Sequence, residues 1–168
     1  TPLRSTTSSP VAARISGTEV SKTVSNNSSY ICISPASGPY VICTMSKSFA
    51  EQKGYHDALM LDYRGYVAEG TGANIFFIKG NDVHTPIPDC FLNGITRQTV
   101  IEMLSSQGFN IIERHIMPDE ISNYDEAFLT GTAAEITPLQ SIDDIKFKTG
   151  DETKTFKFMQ DYHNLVRS

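Results

Sequence analysis

The chain of 168 residues is long enough for one domain with a sizeable core, and its 39% hydrophobic and 20% charged residues are typical of a globular protein. The net charge of −5, without a long basic run, gives little support to nucleic-acid binding. No apolar stretch approaches the roughly 18 residues that cross a membrane, so we expect no membrane partner.

The chain opens with a segment that is unlike the rest. Residues 1–29 are rich in Ser, Thr and Asn and poor in large apolar residues, so we predict a mostly flexible segment with one strand at Val11–Ser16. The folded domain is predicted to span residues 30–168. It begins with a short strand at Tyr30–Ser34 and a helix at Gly38–Lys53, whose apolar residues recur at near-helical spacing.

After Gly54, which is predicted to end that helix, the pattern changes to short apolar stretches separated by turn residues. The predicted strands are Asp57–Asp62, Tyr66–Ala68, Asn74–Lys79, Asp82–Thr85, Asn110–His115, Ala127–Thr130 and Ile136–Ser141. The predicted helices are Gly94–Gln107, a single turn at Pro118–Ile121 and Glu152–Val166, the last with apolar residues at Phe156, Met159, Tyr162 and Val166. Short strands mixed with helices predict an α+β domain.

The first of three motifs that could carry chemistry is E-G-T-G-A-N at Glu69–Asn74. Its two glycines let the backbone turn tightly or approach a ligand closely. A carboxylate held beside such a turn can face a protonated ring nitrogen. Taken alone, Glu69 is more simply interpreted as a solvated acid before a turn.

The second motif is L-N-G-I-T-R at Leu92–Arg97, where a predicted helix begins. The unpaired N–H groups and the positive dipole end of a helix start bind phosphate well, and Thr96 can add a hydroxyl donor. The simpler interpretation is that Asn93 only caps the helix.

The third motif is T-G-T-A-A-E at Thr130–Glu135, at the end of a predicted strand. Small residues in succession allow a loop of backbone N–H groups that binds an anion, although a tight packed turn is the simpler interpretation. Two such loops and a helix start in one domain together favour a phosphate-bearing ligand.

The three motifs resemble, in order and spacing, those of the branched-chain amino acid aminotransferases, which belong to the class IV pyridoxal-phosphate-dependent family. The third motif continues as G-T-A-A-E-I-T-P, and the run G-Y-H-D-A-L-M-L-D at Gly54–Asp62 also fits the family. The resemblance runs from Tyr40 to about Ser141 and more loosely through the last helix, while residues 1–34 match poorly. It implies the C-terminal large domain of the D-amino-acid aminotransferase-like enzymes (fold type IV): strands in an open pseudo-barrel with flanking helices. The family's small N-terminal domain, which closes over the site and supplies a phosphate-binding arginine, is not recognisable.

The resemblance implies that pyridoxal 5'-phosphate is the cofactor. Glu69 would pair with its pyridine nitrogen and keep the ring an electron sink. Tyr40 would bond its phenolic oxygen, and Leu92 would pack on the ring face. Ile95 and Thr96 would hold its phosphate at the helix start. The implied cofactor-binding set is Tyr40, Glu69, Asn74, Leu92, Gly94, Ile95, Thr96, Gly131, Thr132 and Ala133, with Asn74 a structural neighbour, Thr132 at the phosphate and Ala133 at the substrate carboxylate.

Transamination also needs a lysine, which attaches the cofactor as a Schiff base and then shuttles a proton. In the family it precedes the matched tyrosine in a K-x-x-G-x-Y pattern, and here its position is Pro35, which has no amine. Lys47 lies about 18 Å further along a helix, too far to replace it. Lys53 is more distant, and Lys22 lies in the poorly matched segment. Pro39 is a second departure, which suits only the first helical turn.

We therefore predict an aminotransferase by descent, of the kind that transfers amino groups between branched-chain amino acids and 2-oxoglutarate, that does not transaminate as an isolated chain and has no intact catalytic residue. The alternative is a non-catalytic pseudoenzyme domain that binds pyridoxal phosphate non-covalently, or another phosphate-bearing small molecule. D-amino acid aminotransferases and an aminodeoxychorismate lyase share the fold, but they need the same lysine. A damaged or partial gene is the remaining interpretation.

The expected partners are a small-molecule amino acid or 2-oxo acid and, because the family commonly dimerises, a second copy of the chain.

The three cysteines are an odd number without metal-ligand spacing, and they suit buried thiols in a reducing cytoplasm: Cys32, Cys43 and Cys90. No signal peptide is recognisable. The four histidines show no metal-ligand pattern, so we predict no metal site. The first residue is Thr1, which indicates a processed, engineered or incomplete product.

Overall fold

The computed structural model describes residues 14–17 and 38–167, with side chains from Cys43 to Arg167. The predicted strand Tyr30–Ser34 and the Schiff-base position Pro35 lie outside these residues, as does most of the predicted flexible segment. The predicted strand Val11–Ser16 is described only from Arg14, where an observed strand covers Arg14–Gly17.

The described residues form three α-helices, one 3₁₀ helix and short strands of a single sheet. The helices are α1 (Gly38–Gln52), α2 (Ile95–Ser106) and α3 (Lys154–Arg167), with the 3₁₀ helix at Pro118–Asn123. The strands are β1 (Arg14–Gly17), β2 (Asp57–Ala58), β3 (Met60–Leu61), β4 (Val67–Glu69), β5 (Asn74–Lys79), β6 (Asp82–Thr85), β7 (Asn110–Glu113), β8 (Glu126–Gly131), β9 (Glu135–Ile142) and β10 (Ile145–Lys146).

The sheet is mixed and mostly antiparallel, in the order β2-β1-β9-β8-β5-β4-β3, with β10 pairing with β9 and β6 linking β5 to β7. Only β6 and β7 run parallel among the described strands. Because strands and helices are mixed without regular βαβ alternation, the α+β prediction is confirmed. The predicted strand Asp57–Asp62 is instead two strands: Asp57 pairs with Ile15 of β1, whereas Met60 pairs with Glu69 of β4.

Strand β5 shows how the core is built. Ile75 and Phe77 point into one hydrophobic cluster with Leu129 of β8, and Phe76 and Ile78 point into another, beneath α2 and α3. Because both faces of β5 are covered, its sequence is an unbroken apolar run rather than an alternating one. Strand β5 was predicted with its observed bounds for this reason.

The helices pack through narrow buried stripes. In α2 the buried apolar residues are Val100, Met103 and Leu104, at the spacing of one helical face. In α3 the buried residues are Thr155, Phe158 and Tyr162. The expected apolar stripe was therefore partly wrong: Val166 is exposed, and Phe156 and Met159 are only partly buried. No helix in the described part of the chain is long and apolar enough to span a membrane.

Glu126 of β8 connects the start of α3 to the sheet through hydrogen bonds. Its buried carboxylate accepts hydrogen bonds from the Lys154 and Thr155 backbone N–H groups, at 3.2 and 2.8 Å, and from the Thr155 hydroxyl at 2.7 Å. A carboxylate at a helix start also interacts favourably with the helix dipole.

We therefore expect Glu126→Ala to lower the free energy of unfolding by about 2–3 kcal/mol, because it leaves buried donors of α3 unpaired. Urea unfolding followed by circular dichroism measures this change. The control is Glu102→Ala on the exposed side of α2, for which we expect a change within about 0.5 kcal/mol. Equal effects of the two substitutions would contradict the assigned role of Glu126.

Candidate functional site

The first motif forms a tight turn between β4 and β5. The Gly70 N–H donates to the Ala73 carbonyl at 2.7 Å, and Glu69 lies opposite Asn74 across the strand pair. The Glu69 side chain is partly buried at the end of β4. It is therefore not the solvated acid of the simpler interpretation.

The Asn74 side-chain amide joins the first motif to the second. Its Nδ2 donates to Glu69 Oε2 at 3.3 Å and to the Leu92 carbonyl at 2.9 Å, while its Oδ1 accepts from the Gly94 N–H at 3.2 Å. All three groups of one buried amide are thus engaged. This side chain fixes the Glu69 carboxylate relative to the loop that opens α2.

The start of α2 has no side-chain cap among the described residues, because Gly94 is the N-cap residue and the helix begins at Ile95. The interpretation that Asn93 caps the helix is wrong: Asn93 Oδ1 accepts a hydrogen bond from Arg97 Nη1 at 2.9 Å instead. The uncapped helix start leaves positive dipole and N–H groups at Ile95 and Thr96 that can bind an anion.

Gly94 approaches Asn74 more closely than any other residue type allows. A Cβ atom added to Gly94 would lie 2.5 Å from Asn74 Oδ1, well inside van der Waals contact. The glycine in L-N-G-I-T-R is therefore required by this approach.

Arg97, the last residue of the second motif, holds that motif in place through buried hydrogen bonds. It is buried, and besides Asn93 it donates through Nη2 to the Pro86 carbonyl at 3.0 Å and to Glu113 Oε2 at 2.6 Å. The ion pair ties the helix start to β7. In the sequence, the only signal for the contact between Arg97 and Asn93 is their spacing of four residues.

The third motif lies against the first. A Cβ atom on Gly131 would be 3.2 Å from the Gly72 carbonyl oxygen, and Thr130 lies opposite Asn74 in the β5–β8 pair. The Thr130 hydroxyl is buried without a hydrogen-bond partner among the described residues. Thr132 and Ala133 are exposed in the turn that follows β8.

All three motifs therefore meet at the first residue of β5. Leu92 and Ile95 leave large apolar side chains exposed beside this point, Ile95 by 83%. Tyr40 lies in α1 with its side chain outside the described part of the structure, and Pro35 is outside it altogether. The remaining positions of the implied cofactor set lie on these connected elements.

Two ionisable groups at the site have raised pKa values. Burial, with a further contribution from the Asp57 carboxylate, raises the pKa of Glu69 to about 8. Burial, Glu69 and Asp57, in that order, raise the pKa of the Cys43 thiol to about 11. Cys43 of α1 is partly buried rather than buried as expected, and its thiol is free. The site thus holds a carboxyl group that a cationic partner would help to ionise.

One cluster of potential metal ligands lies elsewhere in the described part of the chain. Asp62, Asp89 and Cys90 are close together. The Arg64 guanidinium pairs with both carboxylates, at 2.6 and 2.8 Å, so a cationic side chain already occupies the place that a metal ion would take. We assign no metal to this cluster.

Comparison with known proteins gives a consistent result. The family model "Amino-transferase class IV" matches residues 10–142. A branched-chain-amino-acid aminotransferase of Pseudomonas aeruginosa is 42% identical over 132 residues, which are 78% of this chain and 43% of that protein. A probable branched-chain-amino-acid aminotransferase of Aquifex aeolicus is 44% identical over 133 residues, 77% and 43% of the two chains.

Solved structures agree with this comparison. The branched-chain aminotransferase of Thermoproteus uzoniensis with norvaline superposes with a TM-score of 0.76 at 35% identity, covering 94% of this chain and 52% of that one. The T.th. branched-chain amino acid aminotransferase complexed with N-(5'-phosphopyridoxyl)-L-glutamate superposes with a TM-score of 0.72 at 34% identity, covering 76% and 42%. The predicted fold is thereby confirmed, and the chain spans about half the length of the relatives it matches.

The close approach of Gly94 to Asn74 leads to a stability prediction. We expect Gly94→Ala to lower the free energy of unfolding by about 1–3 kcal/mol, because the methyl group must displace the Asn74 amide. Gly72→Ala is the matched control, since a Cβ there has no neighbour within 4 Å. Chemical denaturation compares the two variants, and a Gly94→Ala protein as stable as Gly72→Ala would contradict the assigned contact.

The raised pKa of Glu69 predicts a pH dependence of stability. Between about pH 4.5 and the folded pKa of about 8, the folded state keeps a proton that the unfolded state has released. The free energy of unfolding therefore falls as pH rises through this window, by up to about 1.4 kcal/mol per pH unit. Glu69→Gln should remove this slope, whereas the exposed Glu102→Gln should keep it. Thermal unfolding at several pH values would refute the prediction if wild type and Glu69→Gln gave parallel profiles.

Proposed function

The chain belongs to the class IV aminotransferase family, and we propose that it is the cofactor-binding domain of a branched-chain amino acid aminotransferase. The observation that carries this proposal is the Asn74 amide, which holds an acid and an uncapped helix start in one site. The named relatives of bacterial origin and the solved structures support the branched-chain class. The relatives are named as aminotransferases of branched-chain amino acids, and this chain covers 43% of the Pseudomonas aeruginosa protein.

The residues at the site suit pyridoxal 5'-phosphate. The Glu69 carboxyl, with its raised pKa, gains a partner when it faces a protonated ring nitrogen. Ile95 and Thr96 at the uncapped start of α2 would hold the phosphate, and Thr132 and Ala133 lie in the exposed turn on the other side. When bound, this cofactor supplies the electron sink that weakens a bond at the amino acid Cα.

We further propose that this polypeptide alone does not transaminate. Pro35 has no amine to attach the cofactor or to move a proton. Lys47 and Lys53, which follow it in sequence, are both exposed on or just beyond α1. Neither lysine is buried towards the site, so neither is a substitute.

A second candidate function is a pseudoenzyme domain that binds pyridoxal phosphate, or another phosphate-bearing small molecule, without catalysis. It is favoured by the intact contacts around Asn74 in a chain with Pro35 at the lysine position. The two candidates share a ligand and differ in whether turnover returns when Pro35→Lys restores the amine and a small domain is added as a separate polypeptide.

A homodimer in the cytoplasm that acts on an amino acid and a 2-oxo acid completes the proposal. Met45 and Phe49 on α1 and Ile95 on α2 have exposed apolar side chains. A second copy of the chain would bury such side chains if it packed against these helices. Sedimentation velocity with and without pyridoxal phosphate measures the oligomeric state, and a monomer under both conditions would contradict the dimer.

The non-covalent mode of binding has a direct test. Pyridoxine 5'-phosphate lacks the aldehyde that a lysine attacks, so we expect it and pyridoxal 5'-phosphate to bind with Kd values within about tenfold of each other, or about 1.4 kcal/mol. Titration calorimetry with the full chain measures both ligands, and Lys47→Ala serves as the control that should bind both unchanged. Loss of the aldehyde ligand's affinity in Lys47→Ala would identify a covalent lysine and refute the proposal.

If neither ligand bound at millimolar concentration, the proposal that the chain is a cofactor-binding domain would be contradicted. Amino transfer from leucine to 2-oxoglutarate above that of free pyridoxal phosphate would contradict the predicted inactivity. Turnover by Pro35→Lys together with a separately expressed small domain from a relative would favour the aminotransferase over the pseudoenzyme.

A further inference from the structure

We propose that Asp57 is a positioning residue of this site: its carboxylate, held by Thr71, lies next to Glu69 and adds a second negative charge that selects a protonated ring nitrogen. The inference rests on the proposed function for its ligand, but not for its geometry. In the sequence, Asp57 stood out only as the first residue of the predicted strand Asp57–Asp62 and as part of the run G-Y-H-D-A-L-M-L-D.

Hydrogen bonds fix the Asp57 carboxylate in place. Its Oδ1 accepts from the Ala58 N–H at 2.8 Å, from the Thr71 N–H at 3.4 Å and from the Thr71 hydroxyl. Thr71 lies two residues after Glu69, in the turn between β4 and β5. The first motif is therefore attached to β2 through one side chain.

Close packing brings the second oxygen of Asp57 against the same turn. A Cβ atom on Gly70 would lie 3.1 Å from Asp57 Oδ2 and 3.3 Å from the Ala73 carbonyl oxygen. The carboxylate thus packs directly on the residue that follows Glu69. Gly70 leaves the space for this contact, which a larger residue would close.

The charge of Asp57 acts on the groups around it. It contributes to the raised pKa of Glu69 and to that of Cys43. Among the described residues, the groups that face Glu69 are Asp57 from β2, the Cys43 thiol from α1 and the neutral Asn74 amide from β5. No cation is among the described groups that shift the Glu69 pKa, so repulsion between the two carboxylates is not offset by them.

Repulsion between two neighbouring carboxylates makes a cationic ligand group more favourable than a neutral one of the same shape. With Glu69 alone, a protonated ring nitrogen gains one ion pair. With Asp57 beside it, the cation also gains the attraction of a second carboxylate, and it offsets the repulsion that helps to keep the proton on Glu69 below about pH 8. Asp57 would therefore favour the protonated form of the ring without itself touching the reacting atoms.

The first arm of the test needs no ligand. Carbon-13 NMR of side-chain-labelled glutamate follows the titration of Glu69, which Glu69→Gln identifies by loss of its signal. We expect the wild-type Glu69 to titrate near pH 8, Asp57→Asn to bring it at least one pH unit closer to the ordinary value of about 4.3, and Asp57→Glu to keep it raised. Thr71→Ala, which removes the hydroxyl contact but keeps the charge, should also leave it raised.

Two results of this arm would overturn the proposal. An equal fall in Thr71→Ala and Asp57→Asn would show that Asp57 acts only by holding the turn. A wild-type Glu69 that titrates in the ordinary range would refute it without any variant, so the proposal is tested even if Asp57→Asn does not fold.

The second arm measures selectivity. The probes are pyridoxine 5'-phosphate and its 1-deaza analogue, in which carbon replaces the ring nitrogen. We expect Asp57→Asn to reduce the preference of the full chain for the pyridine by about tenfold, and Asp57→Glu to restore most of it. An unchanged preference in Asp57→Asn would contradict the role of Asp57. If wild type bound neither probe, the proposed function would fail, whereas the first arm would still decide whether Asp57 acts on Glu69.

Discussion

The hydrogen bonds of the Asn74 amide are the interaction on which the rest of the site depends. One buried side chain at the start of β5 contacts the Glu69 carboxylate, the Leu92 carbonyl and the Gly94 N–H. Without it, the acid at the end of β4 and the start of α2 would be separate surface features, each with a simpler structural explanation. Because β5 is covered on both faces, its first residue is fixed by the core, and the core thereby positions the site.

Much of this arrangement follows from local sequence, and the rest depends on tertiary contacts. Strand β5 was predicted with its observed bounds because its apolar run is continuous, and β6 because turn residues bound it. The split of Asp57–Asp62 was not legible, since it arises when two halves of one extended stretch pair with different strands. Strand β10 was missed because no glycine marks the turn before it, where Asp143 adopts a positive φ.

The site residues show the same division. The motifs indicated Glu69 and the start of α2, but not the residues that hold them. Asn93 was interpreted as a helix cap, and its real partner is the buried Arg97. Charged residues such as Asp57 and Arg97 are expected at the surface from the sequence pattern alone. Their roles become clear only from their partners in the fold, Thr71 for Asp57 and Glu113 for Arg97. A buried charge such as that of Arg97 needs specific partners, and Pro86 and Glu113 come from distant parts of the chain.

We propose that the chain retains a cofactor site without its covalent anchor. Glu69 bonded to Asn74 and the uncapped start of α2 would suit a ring nitrogen and a phosphate, while Pro35 stands where the resemblance expects a lysine. A crystal structure of the full chain grown with pyridoxal 5'-phosphate tests this account most directly. It should show the phosphate at the N–H groups of Ile95 and Thr96 and the ring nitrogen at Glu69, with no bond to a lysine. A phosphate bound away from α2, or a ring nitrogen that faces solvent, would contradict the account.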